Sequence, residues 1–215
     1  MNGITEILKI DPEKPQELLV GRAVHVLKNG GVIGYPTETV YGIGCNFFHQ
    51  EAVDRIYTMK KRRHDKAFIL IVADPLQVRD VVAEIPESAE RLMENFWPGP
   101  LTIIFKSAPH LQQSEFRRSK TIAVRIPDCR ICLSLLKGCG FPIVSTSANL
   151  DQQTPADTAG EVLALFDKKL DLIIDGGRTP GTTPSTIVDV TKTPVKIIRQ
   201  GAISKLEINT VLDAV

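Results

Sequence analysis

The sequence predicts an α/β fold in a single domain, and three observations carry that expectation. Apolar spacing switches repeatedly between a helical and a strand-like period, the run AFILIVA is continuously apolar as a buried strand is, and no Pro-, Gly- or Ser-rich linker divides the 215 residues. A chain of this length buries a sizeable core. No repeat of fixed period is present.

ITEILKI reads as an opening strand, and PQELLVGRAVHVLKNGG as a helix stopped by its glycines. GVIGYP is a short buried strand ending at Pro36. In QEAVDRIYTMKK, Ala52, Val53, Ile56, Tyr57 and Met59 recur at helical spacing, and AFILIVA is the next strand. PLQVRDVVAEI and ESAERLMENF are helices, WPGP is a rigid turn, and LTIIF is a strand. TIAVRIP and PIVSTSAN are strands on either side of the helix in DCRICLSLLKGCG. TAGEVLALF is a helix, LDLIIDGG a strand into a glycine turn, and STIVDVT with VKIIRQG a β-ribbon. Residues 106–120 are the least patterned stretch and read as a loop, and the residues after Arg199 read as a short tail.

Composition sets limits on function. Hydrophobic content of 43% and charged content of 24% are those of an ordinary globular protein, and neither end carries an apolar run suited to a signal peptide or membrane helix. A cytoplasmic protein with no membrane partner is expected. The formal net charge is only +1, yet Lys60, Lys61, Arg62, Arg63 and Lys66, opposed by Asp65 alone, fall within one short stretch. Two cations there could oppose a helix dipole. Five repel one another, a cost that a polyphosphate relieves through charge-assisted hydrogen bonds, bidentate from arginine. The chain has neither GxxxxGK[ST] nor GxGxxG after a strand, and neither HExxH nor GxSxG, so P-loop, dinucleotide, zincin and serine-hydrolase chemistries are not indicated. Cys129 and Cys132 have CxxC spacing without a second pair of ligands, and all four cysteines, including Cys45 and Cys139, are expected to be reduced thiols.

The remaining chemistry is cationic, hydroxyl and amide. In YPTETVYGIG, Thr37 and Thr39 would share one face of an extended segment with Glu38 on the other. In STSAN, Ser145 and Ser147 share a face with Asn149 just beyond. Small polar groups at strand ends are where open α/β sheets bind ligands. Such a set suits positioning and charge stabilisation around a phosphoryl centre.

YPTETVYGIG, KKRRHDKAFILIV, WPGPLT, TIAVRIP, STSAN, PSTIVDV and IIRQGAI, in that order, resemble the YrdC-like family of threonylcarbamoyl-AMP synthases over residues 12–203. The resemblance implies one α/β domain with a twisted mixed sheet, flanking helices and a basic concave cavity. It implies formation of threonylcarbamoyl-AMP and pyrophosphate from L-threonine, bicarbonate and ATP, the first step of t6A modification at tRNA position 37. Lys60, Arg62 and Lys66 match the basic ATP motif, Lys60 and Arg62 being the expected catalytic cations. Thr121, Ser147, Asn149 and Arg199 match other nucleotide positions, and Thr39, Arg125, Ser145 and Ser185 match positions that hold threonine. Mg2+ is expected to arrive with ATP, because Glu38, Asp65, Asp175 and Asp189 form no evident carboxylate cage.

The sequence departs from the family pattern at four places. Arg63 replaces the proline that commonly follows the motif arginine, Ala67 stands near where proline or glycine is usual, Ile71 where some members have a threonine-contacting histidine, and Pro155 where a nucleotide-contacting serine occurs. No counterpart of the fused C-terminal domain of longer members is expected after Arg199. Partners implied are the machinery that transfers the modification, with tRNA or double-stranded RNA as a further candidate. Two other readings compete: an RNA-binding module without chemistry, disfavoured by the low net charge and few aromatics, and a paralogue with another substrate.

Overall fold

A computed structural model describes residues 4–61, 68–112, 120–150, 153–181 and 183–213. The chain begins with β1 (Glu6–Lys9), α1 (Glu17–Lys28), β2 (Val32–Tyr35), β3 (Gly42–Asn46), α2 (Gln50–Met59) and β4 (Ile69–Ile71). It continues through α3 (Pro75–Val81), α4 (Glu87–Phe96), β5 (Leu101–Lys106), α5 (Pro109–Gln112), β6 (Thr121–Arg125) and α6 (Arg130–Cys139). The last third holds β7 (Ile143–Ser147), α7 (Ala159–Phe166), β8 (Leu172–Asp175), β9 (Thr186–Asp189), β10 (Lys196–Arg199) and α8 (Lys205–Asp213).

Local chemistry sets several boundaries. Asp74 caps α3, accepting from the amides of Leu76 and Gln77 ahead of Pro75 in the first turn. Gly140, at φ +72°, ends α6 in the left-handed conformation that glycine adopts without strain. Ser204 and Glu207 form a reciprocal capping box at the start of α8, which packs on α4 and buries Ile208. The short tail expected after Arg199 is therefore a helix, started by its S-x-x-E sequence and held by burial of an apolar side chain. Pro109 likewise opens the short α5 in a stretch expected to be a loop, of which residues 113–119 lie outside the described residues. β3 was not anticipated as a strand, because GIGCN lacks the β-branched pattern. It forms because both its edges are taken, by β2 and by β7.

All ten strands among the described residues join one mixed sheet in the order β1-β8-β2-β3-β7-β4-β6-β5-β9-β10. The pairs β1/β8, β2/β8, β4/β6 and β5/β9 are parallel, and the others antiparallel. β9 and β10 form the anticipated ribbon, with an irregularity between Ile197 and Arg199. One sheet face carries Ile43, Leu70, Ile103, Val124, Val144 and Ile173 into the larger core. The other carries Ile33, Tyr35, Ile143, Leu172 and Ile174 beneath α1 and α6, which also pack on each other. No helix among the described residues is long and apolar enough to cross a membrane.

Candidate active site

Beyond the reach of α1 and α6, the second face opens into a cavity of about 250 Å3. Sheet register builds its floor. Ser145 on β7 lies opposite Ile69 on β4, Ile69 opposite Ala123 on β6, and Ala123 opposite Ile104 on β5, so all four point the same way. Ile71 and Ile187 extend the apolar floor, while Thr37, Thr39, Arg125, Ser147, Ser185 and Arg199 supply its polar wall.

The hydroxyls are held in place by groups outside the cavity. Tyr35 is fully buried and its ring lies across Gly42 and Gly44; a side chain at Gly44 would meet Val144 O at 2.5 Å and the Tyr35 ring at 3.0 Å. The close approach that glycine allows lets the Tyr35 hydroxyl donate to Ser145 Oγ at 2.7 Å. Burial pushes the Tyr35 phenol well above its ordinary range, so it stays protonated and remains a donor. The Ser145 proton is consequently directed elsewhere. Ser185 is fixed similarly, its Oγ 2.8 Å from Thr102 Oγ1 and its carbonyl accepting from Arg199 Nη2 at 2.7 Å.

Thr37 and Thr39 do converge, with hydroxyl oxygens 2.9 Å apart, but in a turn rather than an extended segment. Thr37 Oγ1 accepts from the amides of Thr39 and Val40 and lies 2.6 Å from Val40 O, and this local hydroxyl chemistry folds the backbone back on itself. Alternation is thereby lost. Glu38 turns to Arg125, accepting from Nη2 at 2.5 Å, and its Oε1 also accepts from the Asp128 amide. Arg125 donates from Nε to Gly99 O in the WPGP turn, where the Trp97–Pro98 peptide is cis. Arg125 is buried, and the other Glu38 oxygen has no hydrogen-bond partner among the described residues. Arg199 feels this arginine: burial first, and then the like charge of Arg125, lower its pKa. Two guanidinium groups thus share the cavity, that of Arg125 paired with Glu38 and that of Arg199 without a carboxylate partner among the described residues.

Of the residues predicted from the sequence, Thr39, Arg125, Ser145, Ser147, Ser185 and Arg199 line this one cavity. Lys60 does not line it. Its ammonium is buried behind the wall, donating to Ser147 O at 2.5 Å and Asn149 Oδ1 at 2.8 Å, so it and Asn149 brace the STSAN turn. Thr121 shares the Arg125 face of β6 at the strand's far end, about 13 Å away at strand rise. Arg62 and Lys66, with Arg63 and Ala67, lie outside the described residues. Ile71 is on the floor, whereas Pro155 is not among the lining residues. Glu38, Tyr35, Gly99 and Thr102, which hold the lining side chains, were not chosen from sequence. A glutamate between two threonines and a buried tyrosine carry no local sign of partners far along the chain.

The fold and cavity define an open α/β sheet protein with a hydroxyl-lined, cationic small-molecule site. Residues 25–201 match the Sua5/YciO/YrdC family model, described as telomere recombination, and the chain belongs to that family. It is 35% identical to a threonylcarbamoyl-AMP synthase of Pyrococcus abyssi, over 93% of this chain and 59% of that one. An uncharacterized protein of Haemophilus influenzae is also 35% identical, over 93% of this chain and 97% of the relative. Among solved structures, P. abyssi Sua5 complexed with L-threonine superposes with TM-score 0.91 at 34% identity, covering 97% of this chain and 61% of that one. E. coli YciO gives 0.85 at 30%, covering 94% and 98%. The chain thus spans under two thirds of the length of its Pyrococcus relative.

Proposed function

We propose that this chain is an L-threonylcarbamoyladenylate synthase, a nucleotidyltransferase that makes threonylcarbamoyl-AMP and pyrophosphate from L-threonine, bicarbonate and ATP for t6A formation in tRNA. The observation that carries the reading is the cavity wall, where Arg125, Thr39, Ser145 and Ser185 face an apolar floor. A small amino acid with a carboxylate, a hydroxyl and one methyl matches those groups. Arg125 would meet the carboxylate, Ser145 would donate to the ligand with the proton that Tyr35 leaves free, and the isoleucine floor would take the methyl. The P. abyssi relative solved with L-threonine supports this choice.

In the reaction, the threonine amine attacks the bicarbonate carbon and water is lost, giving an N-carboxylated species whose new carboxylate attacks the α-phosphorus of ATP and expels pyrophosphate. Both partners are anionic. Arg62 and Lys66 would offset the triphosphate charge, with Lys60 adding its charge from behind the wall through Ser147 and Asn149, and Thr121 and Arg199 would hold the nucleotide; no covalent intermediate with the chain is needed. Among the described residues the cavity lining includes no carboxylate, so Mg2+ brought by ATP would keep water and phosphate ligands while neutralising phosphate charge.

Pyrophosphate release that requires threonine and bicarbonate together, with label from bicarbonate entering an adenylate, is the expected result. Release indifferent to bicarbonate would falsify the reading. A second reading, the same chemistry on another amino acid, is favoured by Ile71 on the floor and by a relative of matching length with no assigned activity. It predicts bicarbonate-dependent release with an amino acid other than threonine. Serine is the closest competitor, since packing against one methyl discriminates by only about 1–3 kcal/mol.

A further inference from the structure

The CxxC pair takes no part in the adenylation chemistry, yet it touches the loop that forms the cavity wall. Cys129 stands at the start of α6 and Cys132 sits one turn on, and both thiols approach Pro36 O, at 3.5 and 3.1 Å. Pro36 precedes Thr37, Glu38 and Thr39. The same turn binds that loop again through the Asp128 amide on Glu38. Ile131, beside Cys132, comes so near Gly176 and Pro36 that an added methyl at Gly176 would meet Ile131 Cδ1 at 2.7 Å and Pro36 Cγ at 2.8 Å. The joint between α6 and the loop is therefore tight.

The four thiols are not equivalent. Cys45, Cys132 and Cys139 are buried, and burial raises each above the ordinary thiol range, Cys45 to about 12 and Cys139 to about 11. Cys129 is partly exposed and is shifted down, foremost by a hydrogen bond from the Cys132 thiol, with the nearby amides of Ile131 and Cys132 adding to the effect. A partly exposed thiol shifted toward easier ionisation, with a buried thiol one turn on against the same carbonyl, is the arrangement of an attacking and a resolving cysteine. Cys132 has one proton for two acceptors. It can serve Pro36 O or the Cys129 thiolate, but not both.

We infer that Cys129 and Cys132 form a thiol–disulfide exchange site that reacts with low-molecular-weight disulfides and, when oxidised, loosens the Pro36–Thr39 loop. The Cys129 thiolate attacks one sulfur of the small disulfide, forming a mixed disulfide and expelling a thiolate with the bonding pair. Cys132 then gives up its proton to water or the departing thiolate and attacks the Cys129 sulfur, forming the intramolecular bond and releasing the second small thiol. Two protein thiols are oxidised and one small disulfide is reduced. Oxidation removes the Cys132 S–H, which lies 3.1 Å from Pro36 O, as a donor to that carbonyl on a buried residue, and the loss of this contact is what frees the loop.

The test uses the full chain with glutathione disulfide as the oxidant, and neither readout depends on the substrate. Mass spectrometry should show a loss of about 2 Da, confined to the peptide spanning Cys129 and Cys132. Cys132→Ser should instead stop at a stable glutathione adduct on Cys129, and Cys129→Ser should form neither product. Amide hydrogen exchange at Thr39 and Val40, which both donate to Thr37, should then be several-fold faster in oxidised than in reduced protein. Adducts on Cys139 or Cys45 in place of Cys129, or both CxxC thiols still alkylated after treatment, overturn the exchange site. A disulfide that leaves exchange at Thr39 and Val40 unchanged overturns the coupling to the loop.

Discussion

Two halves of one sheet face meet different fates. Under α1 and α6, Ile33, Ile143, Leu172 and Ile174 are sealed against Leu27, Ile131 and Leu136, and nothing polar is required of them. Over β4, β6, β5 and β9 the same face stays open, and its inward side chains are an apolar floor edged by arginine and hydroxyl groups. The change is abrupt. On β7, Ile143 belongs to the packed half and Ser145 to the cavity, two residues and about 7 Å apart. The strand pleat lets one segment supply stability at one end and ligand contacts at the other. Substitutions in the two halves should therefore separate stability from binding.

The largest effect is expected where the halves are bound together by charge. Arg125→Ala leaves Glu38 as a nearly buried carboxylate without its cation, so stability should fall by about 3–5 kcal/mol in denaturant unfolding. Threonine binding should be lost as well. On the wild type, threonine amide should bind far more weakly than threonine; equal binding would make Arg125 a purely structural partner of Glu38. Leu136→Ala, wholly within the packed half, should cost about 2–5 kcal/mol of stability while threonine affinity in calorimetry changes little. A collapse of affinity in that variant would break the separation.

Smaller effects sharpen the cavity side. Arg62→Lys keeps the charge and loses the bidentate fork, so ATP affinity should drop by about 1.5–3 kcal/mol with threonine affinity nearly unchanged. Wild-type ATP affinity in a titration of that variant would remove Arg62 from the nucleotide site. Ser185→Ala should be mildest, weakening threonine binding by about 1 kcal/mol, because it deletes one hydroxyl and the Thr102 contact. No change in the threonine titration would leave Ser185 as support for Arg199 alone.

The order of strands and helices was legible because hydrophobic periodicity is a local property, and the anticipated elements in LLVGRAVHVL, SAERLM and IAVR lie where the spacing put them. α8 was legible too, in the Ser204–Glu207 capping box, but a tail reading hid it. β3 was not, since a glycine-rich strand shows its nature only when both edges are paired. The turn at Thr37 was misread because alternation of side chains says nothing of hydroxyls that can bond their own backbone.

By itself the sequence determined which groups would gather at one cavity: the threonines of YPTET, the serines of STSAN and PST, Arg125 and Arg199 all face it or hold its wall. Only the tertiary structure decided their partners. Glu38 and Arg125 are 87 residues apart, Tyr35 and Ser145 are 110 apart, and Thr102 and Ser185 are 83 apart. The sheet order brings them together: β5 and β9 are neighbours, and β2 and β7 flank β3, whose glycines Tyr35 crosses to reach Ser145. A residue's type shows what it can donate or accept, and its local spacing shows which way it faces. Which distant group it meets depends on how the strands are ordered, a choice governed by burial of the whole core and written in no single segment.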